Sequence, residues 1–234
     1  MLPAVKAALA ATVANERDGD ANASARAADQ LRRWIFDGVL RDGDVISQDD
    51  LADLLGVSRI PVRDAMIELA GAGWVVLEPG IGARAVGLDA AAVRDNFELF
   101  GTIWSLLARR SVERAVDTEE LVAAASQVRV ARTPADMTTA NSSFLVALRA
   151  AAAAPRLDAA FRNAARIVPG DFFAVVPGAM DVQRRHVPRI AVAIRRADVA
   201  RAAQHAMTLH RAHARSINRL LAGRGVLGNR RRGL

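Results

Sequence analysis

Ser58 to Gly73 reads SRIPVRDAMIELAGAG, and this stretch decides how the first third of the chain folds. Ser58 has the chemistry of a helix N-cap. Pro61 falls in the first turn, where a missing N–H costs nothing. Val62, Ala65, Met66 and Leu69 recur at helical spacing and make one apolar stripe. Arg59 and Arg63 are four apart, so they share the other face near the helix start. A helix buried along one side, with two guanidinium groups at its exposed N-terminal end, suits insertion into a DNA major groove. An ordinary surface helix with two solvated arginines fits the stretch equally well when it is taken alone. The flanking residues separate the two readings.

Upstream, Ser24 begins a helix running to about Asp37, with Leu31, Trp34 and Ile35 on one face. Residues 16–23 are polar and read as a loop, and LRDGD at 40–44 carries a turn. Ser47 is an N-cap, with Asp50 three residues on approximating a capping box. The short helix that follows holds Leu51, Leu54 and Leu55, and Gly56 stands at its C′ position. This is helix, turn, helix with a tight glycine-containing connection. Downstream, WVVL at 74–77 and ARAV at 83–86 read as short strands around the turn EPGIG at 78–82. A hairpin directly after a helix-turn-helix is a wing. Gly80 and Gly82 allow a tight tip that can approach a phosphate backbone. Three helices and a hairpin between Ser24 and Val86 make the winged-helix arrangement, in which the hairpin also serves as a ribbon covering the core.

Charge locates the polar contacts. The chain carries a formal +7, but from Ser24 to Val86 acidic residues outnumber basic ones ten to seven. Positive charge at a DNA surface must therefore be local, at Arg59, Arg63 and Arg84. From Asp181 to Leu234 there are thirteen Arg against two Asp, ending in GRGVLGNRRRGL. That end has no apolar period and reads as a basic flexible tail, whose Arg230, Arg231 and Arg232 can add non-specific phosphate attraction. The absence of Cys excludes disulfides and thiolate metal sites and fits a cytoplasmic protein. No run of about 18 apolar residues occurs, so no membrane span is expected. MLPAVKAALAATVAN at the start matches a signal peptide poorly and reads as a tail able to form a short helix.

From Asp89 to about Leu221 only helical patterns appear. The expected helices are 89–116, 118–131, 135–153, 155–167, 179–196 and 198–222, with Thr118 and Asp198 as starts and Pro188 as a kink point. Helices of this length make an antiparallel bundle whose interior can hold a ligand. The fold class is mainly α: an N-terminal winged helix-turn-helix joined to a C-terminal antiparallel helical bundle. The expected division is a tail at 1–23, the winged domain at 24–87, the all-helical effector-binding and dimerisation domain at 88–222 and the basic tail at 223–234.

The run Leu31 to Val86, and most specifically LADLLGVSRIPVRDAMIELAGAGWV, resembles the DNA-binding domain of GntR-type bacterial transcription regulators. The resemblance implies that Ser58, Arg59, Ile60, Pro61 and Arg63 sit at the DNA surface and that Gly80 touches DNA from the wing tip. Ile60 stands where a Thr is common, and Pro79 where some relatives carry a polar wing residue. From about Ala91 to Leu221 the chain resembles the all-helical effector domain of the FadR-like branch, through FELF at 97–100, NSSFL at 141–145 and AIRRADVARAAQHAMTLH at 193–210. Many members of that branch hold a divalent metal with one Asp and three His. Carried over, the Asp position holds Asn141, the first His position holds Leu145, and the other two are His186 and His210. Phe100 and Trp104 replace an Arg and a Glu, which implies a more apolar pocket.

The effector site expected from this resemblance is Phe100, Trp104, Asn141, Leu145, His186 and His210. No cofactor is expected; His186, His210 and Asn141 are the candidates for a divalent metal in a degraded site. His210 and His213 share a helix face, while His205 lies about 140° round the helix, so these three read as solvated or hydrogen-bonded histidines. The expected function is a ligand-responsive regulator that binds a palindromic double-stranded DNA operator as a homodimer. The alternative is an effector-independent DNA-binding or architectural protein with a vestigial ligand domain. With no Cys nucleophile and no phosphate loop, an enzyme is not expected.

Overall fold

The computed structural model describes residues 3–10, 23–115, 117–165 and 170–228. The loop expected at 16–23 and the arginines at 230–232 lie almost wholly or wholly outside these. The chain divides into two compact units, Met1–Ala90 with Leu221–Leu234, and Ala91–Leu220.

The first unit holds α1 (Pro3–Ala10), α2 (Ala23–Phe36), β1 (Val45–Ile46), α3 (Gln48–Leu55), α4 (Arg59–Gly71), β2 (Val75–Glu78) and β3 (Gly82–Ala85). The helix-turn-helix is α3 and α4. Ser47 caps α3 by accepting from the Asp50 N–H at 3.3 Å. The Asp50 carboxylate takes the Lys6 ammonium of α1 at 2.6 Å. Gly56 ends α3 in the left-handed region (φ +63), which turns the chain sharply into α4. The apolar stripe of α4 (Val62, Ala65, Met66 and Leu69) is wholly buried, and α4 packs on α2, whose Leu31, Trp34 and Ile35 are buried too. Burying such side chains contributes roughly 1.5–3 kcal/mol each. Arg32 of α2, itself buried, bonds Asp29 and reaches Glu68 of α4, so an ion pair also ties the two helices.

The wing is a three-stranded antiparallel sheet in the order β1-β3-β2. Val45 pairs with Arg84, and Val76 pairs with Arg84 from the other side. The two-residue strand β1 is an addition to the expected hairpin. Gly82 is required there: a Cβ on it would meet the Ile46 carbonyl oxygen at 2.4 Å, at φ +118. Residues 221–228, read from the sequence as a helix end and the start of a tail, fall in this unit. Arg224 donates to Asp37 at 3.0 Å, Gly228 N–H donates to the Leu88 carbonyl at 3.0 Å, and Val226 lies 2.8 Å from where a Gly38 Cβ would stand.

The second unit is helical throughout: α5 (Ala90–Glu113), α6 (Glu119–Val130), α7 (Pro134–Ala152), α8 (Pro155–Ala165), α9 (Phe172–Val175), α10 (Ala179–Arg195) and α11 (Val199–Gly223), the last running on into the first unit. Six of these match the expected helices within a few residues. The short α9 is new, and α10 continues through Pro188. Thr133 and Asp136 close a full capping box with Pro134 in the first turn of α7. Asp198 accepts from the Arg201 N–H at 2.9 Å at the start of α11. The α6 helix packs on α7 and α10. Leu107, Leu121, Met137, Phe144, Leu148, Val187, Ile190 and Leu209 fill the core, with alanines between them. Gly101 lets α11 lie close on α5: a Cβ there would stand 2.9 Å from Met207 Sδ and 3.3 Å from His210 Cβ.

Candidate functional site

Two places in the molecule gather the expected residues, one in each unit. In the first, α4 presents its N-terminus to solvent. Ser58 holds the N-cap position in extended backbone (φ −72, ψ 169), but its side chain makes no capping hydrogen bond. The expected cap is thus present in position and open in chemistry. The exposed hydroxyl and the unpaired first-turn N–H groups are left for an outside acceptor, and a helix N-terminus favours an anion such as phosphate. Pro61 removes one of those N–H groups. Ile60 is 73% exposed in the same turn, placed as an apolar contact of the kind a thymine methyl accepts.

The two arginines differ. Arg59 Nε lies 2.8 Å from Asp49 Oδ1 of α3, and both side chains are mostly exposed. A pair so open to water is weak and readily exchanged for a phosphate. Arg63 is exposed and makes no ion pair among the described residues. It borders a groove of about 640 Å³ between the start of α3, the middle of α4 and the wing. Ile67, Leu77 and Ile81 also border it, each between 42% and 50% exposed. Those three were not anticipated; Ile67 lies off the buried stripe of α4, which was the available signal.

Gly80 stands at the wing tip at φ +78 with nothing within 4 Å of a built Cβ. Arg84 is placed differently from what the charge count suggested. Its Nε and Nη2 donate to the two Glu78 carboxylate oxygens at 2.7 and 2.9 Å, and its Nη1 donates to the Gly43 carbonyl at 2.7 Å. This fork crosses the sheet from β2 to the turn before β1. Its hydrogen bond holds the Glu78 carboxyl below the usual carboxylate range.

In the second unit, Phe100 and Trp104 of α5, Asn141 and Leu145 of α7 and His210 of α11 line one cavity of about 280 Å³. His186 is not in its wall. That residue sits three positions beyond Gln183 on α10, and Gln183 takes the wall position; His186 packs against His205 with ring centroids 5.7 Å apart. His213, Phe97, Phe172 and Phe173 are among the unanticipated members.

The polar groups of the wall form a relay. His213 Nε2 lies 3.0 Å from Gln183 Oε1, and Gln183 Nε2 donates to Asn141 Oδ1. His213 Nδ1 is buried with no partner among the described residues. A bare lone pair there costs less than an orphaned N–H, which makes Nε2 the donor. His210 donates from Nδ1 to the Ala206 carbonyl at 2.8 Å, leaving Nε2 as an acceptor. Phe100 and Trp104 meet the His210 ring edge-on, at 4.9 and 4.8 Å between centroids. Burial pushes His210 down to about 4 and His213 well below its ordinary value, so both are neutral near pH 7.

A divalent ion does not fit these residues. It needs oxygen or imidazole lone pairs converging on one point. Here Asn141 Oδ1 already accepts from Gln183, and His213 Nε2 is committed as a donor. Among the described residues no group of three or more His, Asp or Glu could hold a metal.

Residues 23–84 match the family described as bacterial regulatory proteins, gntR family. Over 66 residues the chain is 39% identical to an uncharacterized HTH-type transcriptional regulator in an unstable DNA locus of Streptomyces ambofaciens, covering 28% of each chain. Over 108 residues it is 30% identical to the gluconate operon transcriptional repressor of Bacillus subtilis, covering 46% of this chain and 43% of that one. The chain thus covers less than half the length of these curated relatives. Two solved structures share the fold more widely. A transcriptional regulator (GntR family member) from Pseudomonas syringae is 22% identical, with 94% of this chain and 95% of that one covered and a TM-score of 0.51. E. coli McbR/YncC is 16% identical, with 84% and 97% covered and a TM-score of 0.58.

Proposed function

We propose that this chain, which carries a GntR-type helix-turn-helix domain at residues 23–84, is a transcription regulator that binds a palindromic operator as a homodimer and responds to a small molecule. The observation that carries the DNA reading is the open N-terminus of α4. Ser58, Arg59, Ile60 and Arg63 are all exposed there, in a domain whose other arginines are largely engaged. The α4 N-terminus enters the major groove, Arg59 and Arg63 meet bases or phosphates, and Gly80 lets the wing tip approach the backbone. Two copies place two such helices on the half-sites of a palindrome.

Support for a small-molecule response is the cavity in the helical unit. An occupant that prefers one arrangement of the bundle shifts the population of DNA-competent dimers by its differential affinity. This mechanism needs no chemistry at the site, and the relatives it is similar to are named as regulators, not enzymes. No helix among the described residues is long and apolar enough to cross a membrane, and a cytoplasmic location suits the proposed role.

The experiment is selection of bound duplexes from a random-sequence pool by the full chain, followed by sedimentation of the complex. A palindromic consensus with two chains per duplex supports the reading. Recovery of unenriched sequence contradicts it.

A further inference from the structure

Among the described residues, the wall of the helical unit's cavity contains no Asp, Glu, Lys or Arg. Its apolar part is mostly aromatic, from Phe97, Phe100, Trp104, Phe172 and Phe173. Its polar part is neutral: the His213–Gln183–Asn141 relay and His210. The relay uses Asn141 Oδ1 internally, which leaves the Asn141 NH2 group as a donor. Trp104, 2% exposed, carries an indole N–H with no partner among the described residues. His210 Nε2 is left as an acceptor. The cavity therefore offers flat apolar surfaces and neutral hydrogen-bonding groups. At about 280 Å³ it lies near the lower end of small-molecule sites, with room for one or two rings.

We propose that this cavity takes an uncharged, ring-bearing molecule with a carbonyl or amide acceptor, and discriminates against carboxylates, ammonium ions and metal ions. The proposal rests on the ligand-responsive reading above for its biological meaning, and on the cavity wall for its chemistry. A buried charge needs a partner. A carboxylate would find no cation among the described residues of the wall. Protonating His210 to supply one costs about a thousandfold at neutral pH, since burial holds that imidazole near 4. An ammonium would find no carboxylate. A neutral carbonyl, in contrast, can accept from the Asn141 amide and from the Trp104 indole, whose N–H has no partner among the described residues. A site built around such donors rejects molecules that cannot use them.

The test is calorimetric titration of the full chain with naphthalene-2-carboxamide, 2-naphthoate, 2-naphthylmethylammonium and MnCl2. The three organic probes share one ring system and differ in charge. The expected result is carboxamide binding at least tenfold tighter than either charged analogue, with no stabilisation by Mn2+. Asn141→Ala should weaken the carboxamide at least tenfold. Val146→Ala, an exposed change on the same helix, should leave it unaltered. A charged analogue that binds as tightly overturns the proposal, as does a stabilising Mn2+ response or failure of every organic probe to bind at its solubility limit. Binding without any effect on DNA affinity would leave the ligand class standing and remove the ligand-responsive reading instead.

Discussion

Gly82 joins the wing to its third strand, and Gly82→Ala tests whether that joint is as tight as the geometry says. The added Cβ would sit 2.4 Å from the Ile46 carbonyl oxygen, at a φ of +118. Both partners are backbone, and Ile46 is fixed by pairing with Ala83, so no flexible side chain can give way. Backbone strain of this kind costs about 1–3 kcal/mol. The contact adds overpacking of roughly another 1–3 kcal/mol, for a total of about 2–6 kcal/mol. Gly80→Ala is the control. Gly80 also has positive φ (+78), but nothing lies within 4 Å of a Cβ there, so only the left-handed cost of about 1–2 kcal/mol applies. Each kcal/mol moves the melting of a domain this size by about 4–8 °C. Calorimetry of the full chain should show the winged unit's transition fall by more than about 8 °C in Gly82→Ala and by clearly less in Gly80→Ala. Equal shifts for the two variants would refute the argument that β1 presses on the wing.

Three further outcomes follow from other contacts. His210 is held near 4 by burial, below its ordinary 6.5; the unfolded chain binds its proton first, so bundle stability is full above pH 6.5 and falls by up to about 3 kcal/mol toward pH 4. His210→Phe should flatten thermal melting curves of the helical unit across that window, and an unchanged pH slope would count against the buried neutral imidazole. Glu78 is held below its ordinary value by Arg84, so its contribution is present above that ordinary value and is lost as pH falls through the folded one. Arg84→Gln should make the winged unit's melting less acid-sensitive than wild type, and equal sensitivity would dissolve the cross-sheet tie. Val226 packs on Gly38 and Arg224 bonds Asp37; ending the chain at Gly223 should destabilise the winged unit by about 1–2 kcal/mol in chemical denaturation, whereas an unaltered midpoint would mean the segment merely rests there.

Much of this architecture is readable from local pattern, because helices declare themselves within a few turns. The α4 stripe, the Ser47 cap and the left-handed Gly56 are all short-range features and appear as expected. The Thr133–Asp136 capping box is equally local. What local pattern does not carry is phase between distant elements. Arg84 looks like free charge until β2 and β3 pair and bring Glu78 alongside it. Strand β1 is two residues long and exists because β3, far along the chain, offers it an edge. His186 and His213 each satisfy helical periodicity on their own helices. Which of them faces the cavity depends on how α10 and α11 are rotated about their axes, and Gln183 takes the place expected of His186. The apolar character of the wall is legible in part through Phe100 and Trp104, but the neutral relay that occupies Asn141 requires the packed bundle.

The account turns on the exposed start of α4, and the direct measurement is binding of the Arg59→Ala, Arg63→Ala double variant to a duplex selected by the wild-type chain. Fluorescence anisotropy across a salt series reads specificity and phosphate contacts together. Wild type should prefer the selected duplex over scrambled sequence by a thousandfold or more, within the range usual for specific complexes. The double variant should lose that preference, and its log affinity should fall less steeply with log salt, by about 0.9 for each phosphate contact removed. Its winged unit should melt at the wild-type temperature, since Arg59 holds only an exposed pair and Arg63 holds none among the described residues. A folded double variant that still picks out the selected duplex as well as wild type would contradict the assignment of α4 as the reading helix.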